Sequence, residues 1–168
     1  SATGLGAAVA LKLAKRGVNV VINYSKSDKE ARETAAECAA LWVETLVVKA
    51  NIADDADCRR LAKATLDKWG RIDILVNNAG GTVFADHKNL DALTADDFHY
   101  IYGLNVIGPY QMIRAAAPAM KAAGKGAERA AVGRGGYQHH QPLSGEQGGQ
   151  LRERAVEILA RGDSVPGT

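Results

Sequence analysis

Apolar positions along this chain alternate between two spacings. Leu5, Val9 and Leu13 recur every four residues, with Ala8 between them and Lys12, Lys15 and Arg16 elsewhere. That spacing predicts an amphipathic helix ending near Gly17. Val18 to Asn23 is a short β-branched run of the kind buried in parallel sheets. Ser27 or Asp28 can cap the next helix, whose apolar face is Ala31, Ala35, Cys38 and Trp42. Leu46-Val47-Val48 predicts a second strand. Asp54 to Trp69 predicts a helix with Cys58, Leu61, Ala62, Thr65, Leu66 and Trp69 on one side, closed by Gly70. Ile72 to Val76 predicts a third strand, which runs into the turn composition Asn77-Asn78-Ala79-Gly80-Gly81. Thr94-Ala95-Asp96-Asp97 reads as a capping box opening one long helix. It carries Phe98, Ile101, Tyr102, Asn105, Val106 and Ile113 and stops near Pro118. Strands alternating with long helices imply an α/β fold with right-handed crossovers and a parallel sheet covered on both faces.

Composition narrows the picture. The chain has 168 residues, 46% apolar and 24% charged, which suits one globular domain. A net charge of +2 gives no electrostatic case for nucleic acid or a membrane surface as a partner. No apolar run is long enough for a transmembrane helix, and the chain opens without the pattern of a signal peptide. A cytoplasmic protein is the expectation. Cys38 and Cys58 match no metal-ligand spacing and read as reduced structural thiols. His139 and His140 are adjacent and lack a third ligand nearby, so no metal site is expected. Ser1-Ala2-Thr3-Gly4-Leu5-Gly6 reads as the second half of a glycine-rich turn. Such a turn usually follows a strand, which here would lie before Ser1.

Three segments carry candidate chemistry. A glycine turn at a helix N-terminus lets backbone amides approach a pyrophosphate, and the helix dipole stabilises the anion. The end of the next strand normally meets the adenosine ribose. An acidic residue there would favour NAD(H), whereas Asn23-Tyr24-Ser25-Lys26-Ser27 offers hydroxyls and an ammonium, which suit the 2′-phosphate of NADP(H). For Lys26 a polar connecting loop is the alternative reading. Asn77-Asn78-Ala79-Gly80 lies where a parallel strand ends, the edge at which open α/β sheets bind ligands. Asn105, polar on an apolar helix face, is either a structural hydrogen-bonding residue or an active-site one.

Together these segments resemble the short-chain dehydrogenase/reductase family. The glycine turn resembles the end of that family's TGxxxGxG motif, Asn77-Asn78-Ala79-Gly80 matches its NNAG motif, and Leu104-Asn105-Val106-Ile107-Gly108 matches the segment with its active-site asparagine. The likeness spans residues 1–126 and is greatest to the branch of 3-oxoacyl-acyl-carrier-protein reductases and related ketoreductases. It implies an incomplete Rossmann-like, doubly wound parallel sheet and hydride transfer between NAD(P) and a small carbonyl or alcohol. It implies cofactor contacts at Thr3, Gly4, Leu5, Gly6, Asn23, Tyr24, Ser25, Lys26, Asn51, Ile52, Asn77, Ala79 and Gly80, and a catalytic role for Asn105. It also implies a homo-oligomer, a tetramer or dimer, packed through the Asn105 helix and the next one. Two departures stand out. Asn51 replaces the usual Asp near the adenine, and Ala2 and Thr3 put no basic residue in the glycine turn.

The remainder, residues 127–168, reads as an aberrant continuation of the same domain. All ten lysines precede it, while it holds five arginines and eight glycines. The family's Tyr-x-x-x-Lys, whose Lys lowers the pKa of the proton-transferring Tyr, is absent: Tyr137 is followed by Gln141. Shifting the codons of Leu143 to Gly148 by one base permits Tyr-x-x-Ser-Lys, so a frame error is one reading of the tail and a flexible C-terminal extension is the other. Three expectations follow. Leu143 to Arg161, in which Leu151 to Arg161 looks helical, forms a long helix beside the Asn105 helix. A central strand is missing between the Val18–Asn23 and Ile72–Val76 strands. Without it residues 1–168 form no stable monomer. The function expected is NAD(P)-dependent carbonyl reduction or alcohol oxidation. The alternatives are a non-catalytic dinucleotide-binding protein and a fold remnant used for subunit contact.

Overall fold

A computed structural model describes residues 4–86, 88–124, 127–130 and 154–158, the last two segments as backbone. Five strands, β1 (Asn19–Tyr24), β2 (Thr45–Lys49), β3 (Ile74–Asn77), β4 (Ala127–Ala130) and β5 (Arg154–Ile158), form one sheet in the order β2-β1-β5-β3-β4. Every neighbouring pair is parallel. Successive β1 side chains enter opposite layers, as a pleated strand requires. Val20 and Ile22 meet Ala10 and Ala14 of α1 (Gly4–Ala14) and Ala31, Ala35 and Cys38 of α2 (Asp28–Ala39). Val21 joins Leu61 of α3 (Asp55–Trp69), Leu75 of β3, and Met112, Ala116 and Met120 of α5 (Gly108–Ala122). Helices therefore cover both faces, as the alternating pattern implies. Each Val, Leu, Ile or Met side chain removed from water in these layers contributes about 1.5–3 kcal/mol.

Local chemistry sets the helix ends. The Asp54 carboxylate accepts the Asp57 N–H at 3.0 Å, and α3 ends where Gly70, at φ 72°, donates its N–H to the Leu66 carbonyl at 2.7 Å. Thr94 and Asp97 form the expected reciprocal capping box at the start of α4 (Ala95–Tyr102). The Asn51 N–H and the Arg60 guanidinium hold the Asp57 carboxyl below the usual carboxylate range. Among the described residues no helix is long and apolar enough to cross a membrane.

Several elements differ from the sequence expectation. The buried stripe of α1 is Gly6, Ala10 and Ala14, and Leu5 is exposed, because small residues let the helix axis approach the sheet. α2 stops at Ala39, leaving Trp42 outside it, 98% exposed and at φ 65°. The expected long helix is three pieces: α4, a π-helical turn at Gly103–Ile107, and α5. α5 passes through Pro118 to Ala122, because Met112, Ala116 and Met120 continue one fully buried face across the proline. Phe98, Tyr102 and Val106, expected on the buried face, are exposed.

The largest correction concerns the tail. Arg154–Ile158 is a strand, not part of a helix, and it fills the central position expected of a strand upstream of Ser1. Val21 and Leu75 both pair with Val156, and Asn77 pairs with Ile158. β1 and β3 each present a row of N–H and C=O groups toward this slot. Satisfying both rows outweighs the weak helical periodicity of the segment. The rest of Leu143 to Arg161 lies outside the described residues, as do Tyr137, Gln141, His139 and His140. Amide exchange at Ala155–Ile158 is expected to be as slow as at Val20–Ile22, since both segments share one ladder. Exchange of Ala155–Ile158 at the rate of an open chain would remove β5 from the sheet.

Candidate functional site

All five strands run the same way, so their C-terminal ends share one edge, and the expected ligand-binding segments converge there. Tyr24 ends β1, Asn77 ends β3, and α1 starts beside them at Gly4, whose φ of 66° is the left-handed turn that glycine accommodates. Gly4 and Leu5 are exposed at the helix N-terminus, where the first backbone N–H groups have no intrahelical acceptor, and Gly6 is buried. Thr3 lies outside the described residues.

The strand-end residues divide into anchors and surface groups. Asn23 is fully buried, and its amide donates to the Val48 carbonyl at 3.1 Å and the Ala50 carbonyl at 3.0 Å. It ties β1 to the exit of β2. Ser25 is half-buried and Lys26 exposed. Asn51 is exposed; its Oδ1 accepts the Ala53 N–H at 3.1 Å, and its own N–H donates to Asp57 at 2.7 Å. Ile52 belongs to the core, where its carbonyl accepts the Cys58 thiol at 3.2 Å. Burial, followed by the carboxylates of Asp55, Asp54 and Asp57, pushes that thiol up to about 12, so it stays protonated and unreactive.

Asn105 joins two elements far apart in sequence. Its Nδ2 donates to the Gly81 carbonyl and to the Ile101 carbonyl, both at 2.7 Å, while its Oδ1 accepts the Gly81 N–H at 3.1 Å. Both amide hydrogens are thus directed at backbone. In an α-helix the Ile101 carbonyl would accept the Asn105 backbone N–H. Here the Asn105 side-chain amide also donates to that carbonyl, at the start of a π-helical turn in which the Gly108 N–H donates to the Gly103 carbonyl. Two glycines make room. A Cβ at Gly80 would lie 2.7 Å from Asn105 Oδ1, and one at Gly108 would lie 2.9 Å from the Ile52 carbonyl. Asn77 and Ala79 are buried beneath the turn that Asn105 holds.

Sequence reasoning found the Asn77–Gly81 turn and Asn105 but not their mutual bonds. It also missed Asp28 and Arg32. Arg32 Nε donates to Asp28 Oδ2 at 2.7 Å, and the Asp28 carboxylate raises the Tyr24 phenol above its ordinary value. The i, i+4 spacing of Asp28 and Arg32 was the available signal.

Gly80→Ala should break the Asn105 contacts and destabilise the fold by ~1–3 kcal/mol in urea unfolding. In a double-mutant cycle with Asn105→Ala, coupling of at least ~0.5 kcal/mol is expected, and strict additivity would refute the tie.

Comparison with known proteins agrees with this geometry. The family model for short chain dehydrogenases matches residues 1–127. A 3-oxoacyl-[acyl-carrier-protein] reductase of a Synechocystis species is 38% identical over 70% of this chain and 46% of its own. An L-rhamnose 1-dehydrogenase (NAD(P)(+)) of a Sphingomonas species is 31% identical over all of this chain and 69% of its own. Among solved structures, a metagenomic short-chain oxidoreductase in complex with NADP superposes with a TM-score of 0.71, covering 77% of this chain and 57% of that one at 30% identity. The chain spans about half the length of the first curated relatives it matches. The parallel sheet, the glycine-led helix and the asparagine-held turn belong to one family: this chain is a member of the short-chain dehydrogenase/reductases.

Proposed function

We propose that the chain carries the cofactor-binding part of an NAD(P)-dependent oxidoreductase that reduces a small carbonyl or oxidises the matching alcohol, with NADP(H) favoured over NAD(H). The observation that carries this reading is the bonding of Asn105 to the Asn77–Gly81 turn. It fixes a small-residue surface at the C-terminal end of β3, beside the open N-terminus of α1. When bound, NAD(P) supplies the hydride or accepts it. Residues 1–126 form the dinucleotide-binding unit, and residues 127–168 continue the same domain.

The residues fit that group in both charge and space. Gly4, Leu5 and Gly6 offer backbone N–H groups to a pyrophosphate, and Thr3, outside the described residues, belongs to the same proposed contact set. Ser25 and Lys26 stand at the ribose end, with Tyr24 beneath them and Asn23 as their anchor. Asn51 borders the adenine, and Ile52 fixes the loop that carries it. Ala79 and Gly80 admit the nicotinamide ribose, since side chains there are absent or a single methyl. Asn105 acts as a positioning residue: its amide keeps the turn in place, while the π-helical turn reshapes the backbone next to the reacting atoms. Proton transfer needs a further group, because no Tyr-x-x-x-Lys occurs in the sequence. Cofactor binding without turnover would accordingly favour the non-catalytic dinucleotide-binding alternative.

Fluorescence titration with NADPH and NADH, followed by turnover assays on a carbonyl panel, tests the reading. NADPH should bind more tightly, and Lys26→Ala should weaken NADPH relative to NADH by ~5-fold, the scale of one exposed charge-assisted contact. Failure to bind either dinucleotide would defeat it.

The exposed apolar residues Phe98, Tyr102, Val106, Ile107 and Tyr110 follow one another along α4, the π-helical turn and α5. Such a surface is uncommon on a monomer and supports self-association into a dimer or tetramer. Sedimentation should show an oligomer that Val106→Glu with Tyr110→Glu dissociates; an unchanged mass would rule this face out.

A further inference from the structure

The loop after β2 and the turn after β3 both bear on the π-helical turn at Gly103–Ile107. On the loop side, the Asn51 N–H donates to Asp57 Oδ2 at 2.7 Å, the Ala53 N–H to Asn51 Oδ1 at 3.1 Å and the Asp54 N–H to the Asn51 carbonyl at 2.9 Å. These bonds tie the loop to the first turn of α3 and leave the Asn51 side chain exposed. Ile52 is buried in the core, and a Cβ added at Gly108 would lie 2.9 Å from its carbonyl oxygen and 3.0 Å from its Cδ1. A Cβ added at Gly103 would lie 3.9 Å from that of Ala53. Gly103 and Gly108 are the two residues joined by the π-helical hydrogen bond. Between them stands Asn105, whose side chain holds both the N–H and the carbonyl of Gly81. Packing this close transmits a displacement instead of absorbing it. A π-helical turn differs from an α-helical one by discrete hydrogen-bond partners, so it is an element with two arrangements.

Resting on the dinucleotide-binding reading above, we propose that Gly108 is a positioning residue that couples the Asn51–Ala53 loop to the Gly81 turn, so that a ligand held at the loop alone tightens the turn. Because Gly108 has no side chain, the Ile52 carbonyl seats directly against the backbone of the π-helical turn. A base bound beside Asn51 restricts the loop, and the Ile52 contact restricts Gly103–Gly108 in turn. Asn105 then passes the restriction to Gly81 through its two hydrogen bonds. Order established by a ligand at one end lowers the ordering cost at the other, so the two ends bind cooperatively and the effect is reciprocal.

The probe is adenosine 2′-monophosphate, which carries the base and its ribose but neither the pyrophosphate nor the nicotinamide. Amide exchange at Gly81, followed by NMR, reads the bond from its N–H to Asn105 Oδ1. The unmodified chain is compared with Gly108→Ala and with Ile52→Val, which removes the Cδ1 contact and keeps the core apolar. Saturating probe should slow Gly81 exchange at least ~5-fold in the unmodified chain and less than ~2-fold in either variant. In all three chains the amides of Asn51 and Ala53 should still shift on binding. If circular dichroism shows that Gly108→Ala has lost its helices, Ile52→Val decides alone. Bound probe with unchanged Gly81 exchange, or a slowing that Ile52→Val retains in full, overturns the coupling and leaves the dinucleotide-binding reading intact. So does NADPH binding with no response to millimolar probe, since the loop then holds no ligand by itself. A chain that responds to neither probe nor NADPH overturns that reading and this inference together.

Discussion

The pairing of β5 with β1 on one side and β3 on the other is the constraint on which the other features rest. A parallel sheet exposes no backbone polar group in its middle without cost, and each ladder closes only when a strand lies between its neighbours. With Val156 in register with both Val21 and Leu75, the two halves of the sheet become one surface. α1 and α2 can then pack on one side and α3 and α5 on the other. The common direction of the strands brings Gly4, Tyr24 and Asn77 to a single edge. Separate the halves, and the start of α1, the loop after β1 and the asparagine-held turn lose their common frame.

A second level of order comes from side-chain amides directed at backbone. Asn23 bonds the Val48 carbonyl within β2 and the Ala50 carbonyl just beyond it, and Asn105 bonds the turn that follows β3. Both fix the chain where it leaves a strand. The π-helical turn at Gly103–Ile107 contains Asn105 itself, whose side chain bonds both the Ile101 carbonyl of the preceding helix and the Gly81 carbonyl.

Much of this was legible in the sequence because periodicity and capping act locally. The β-branched run after Gly17, the Asp54 cap, the Gly70 stop and the Thr94–Asp97 box all specify their elements through near neighbours. The glycine that opens α1 and the Asn77–Gly81 turn were legible for the same reason. What escaped depends on tertiary context. Leu5 is exposed because the sheet selects the smallest stripe of α1. Trp42 lies beyond the end of its helix, though its spacing continues the apolar face. The π-helical turn needs a partner at Gly81, far away in sequence. Arg154–Ile158 has too little β character to be read as a strand, and only the open slot between β1 and β3 makes it one.

The place of β5 in the sheet also bears on how the chain reaches its native state. Asn19 pairs with Arg154, and Ile74 with Ala155, so the central ladders join segments that are distant along the chain. Loop-closure entropy must be overcome before either contact forms, and a topology dominated by such pairs folds slowly. During synthesis β1 and β3 emerge well before β5, with the edges facing the slot unpaired. Those edges are templates for the strands of other chains. The same geometry that unites the ligand edge therefore sets a kinetic window in which the nascent chain is open to intermolecular pairing.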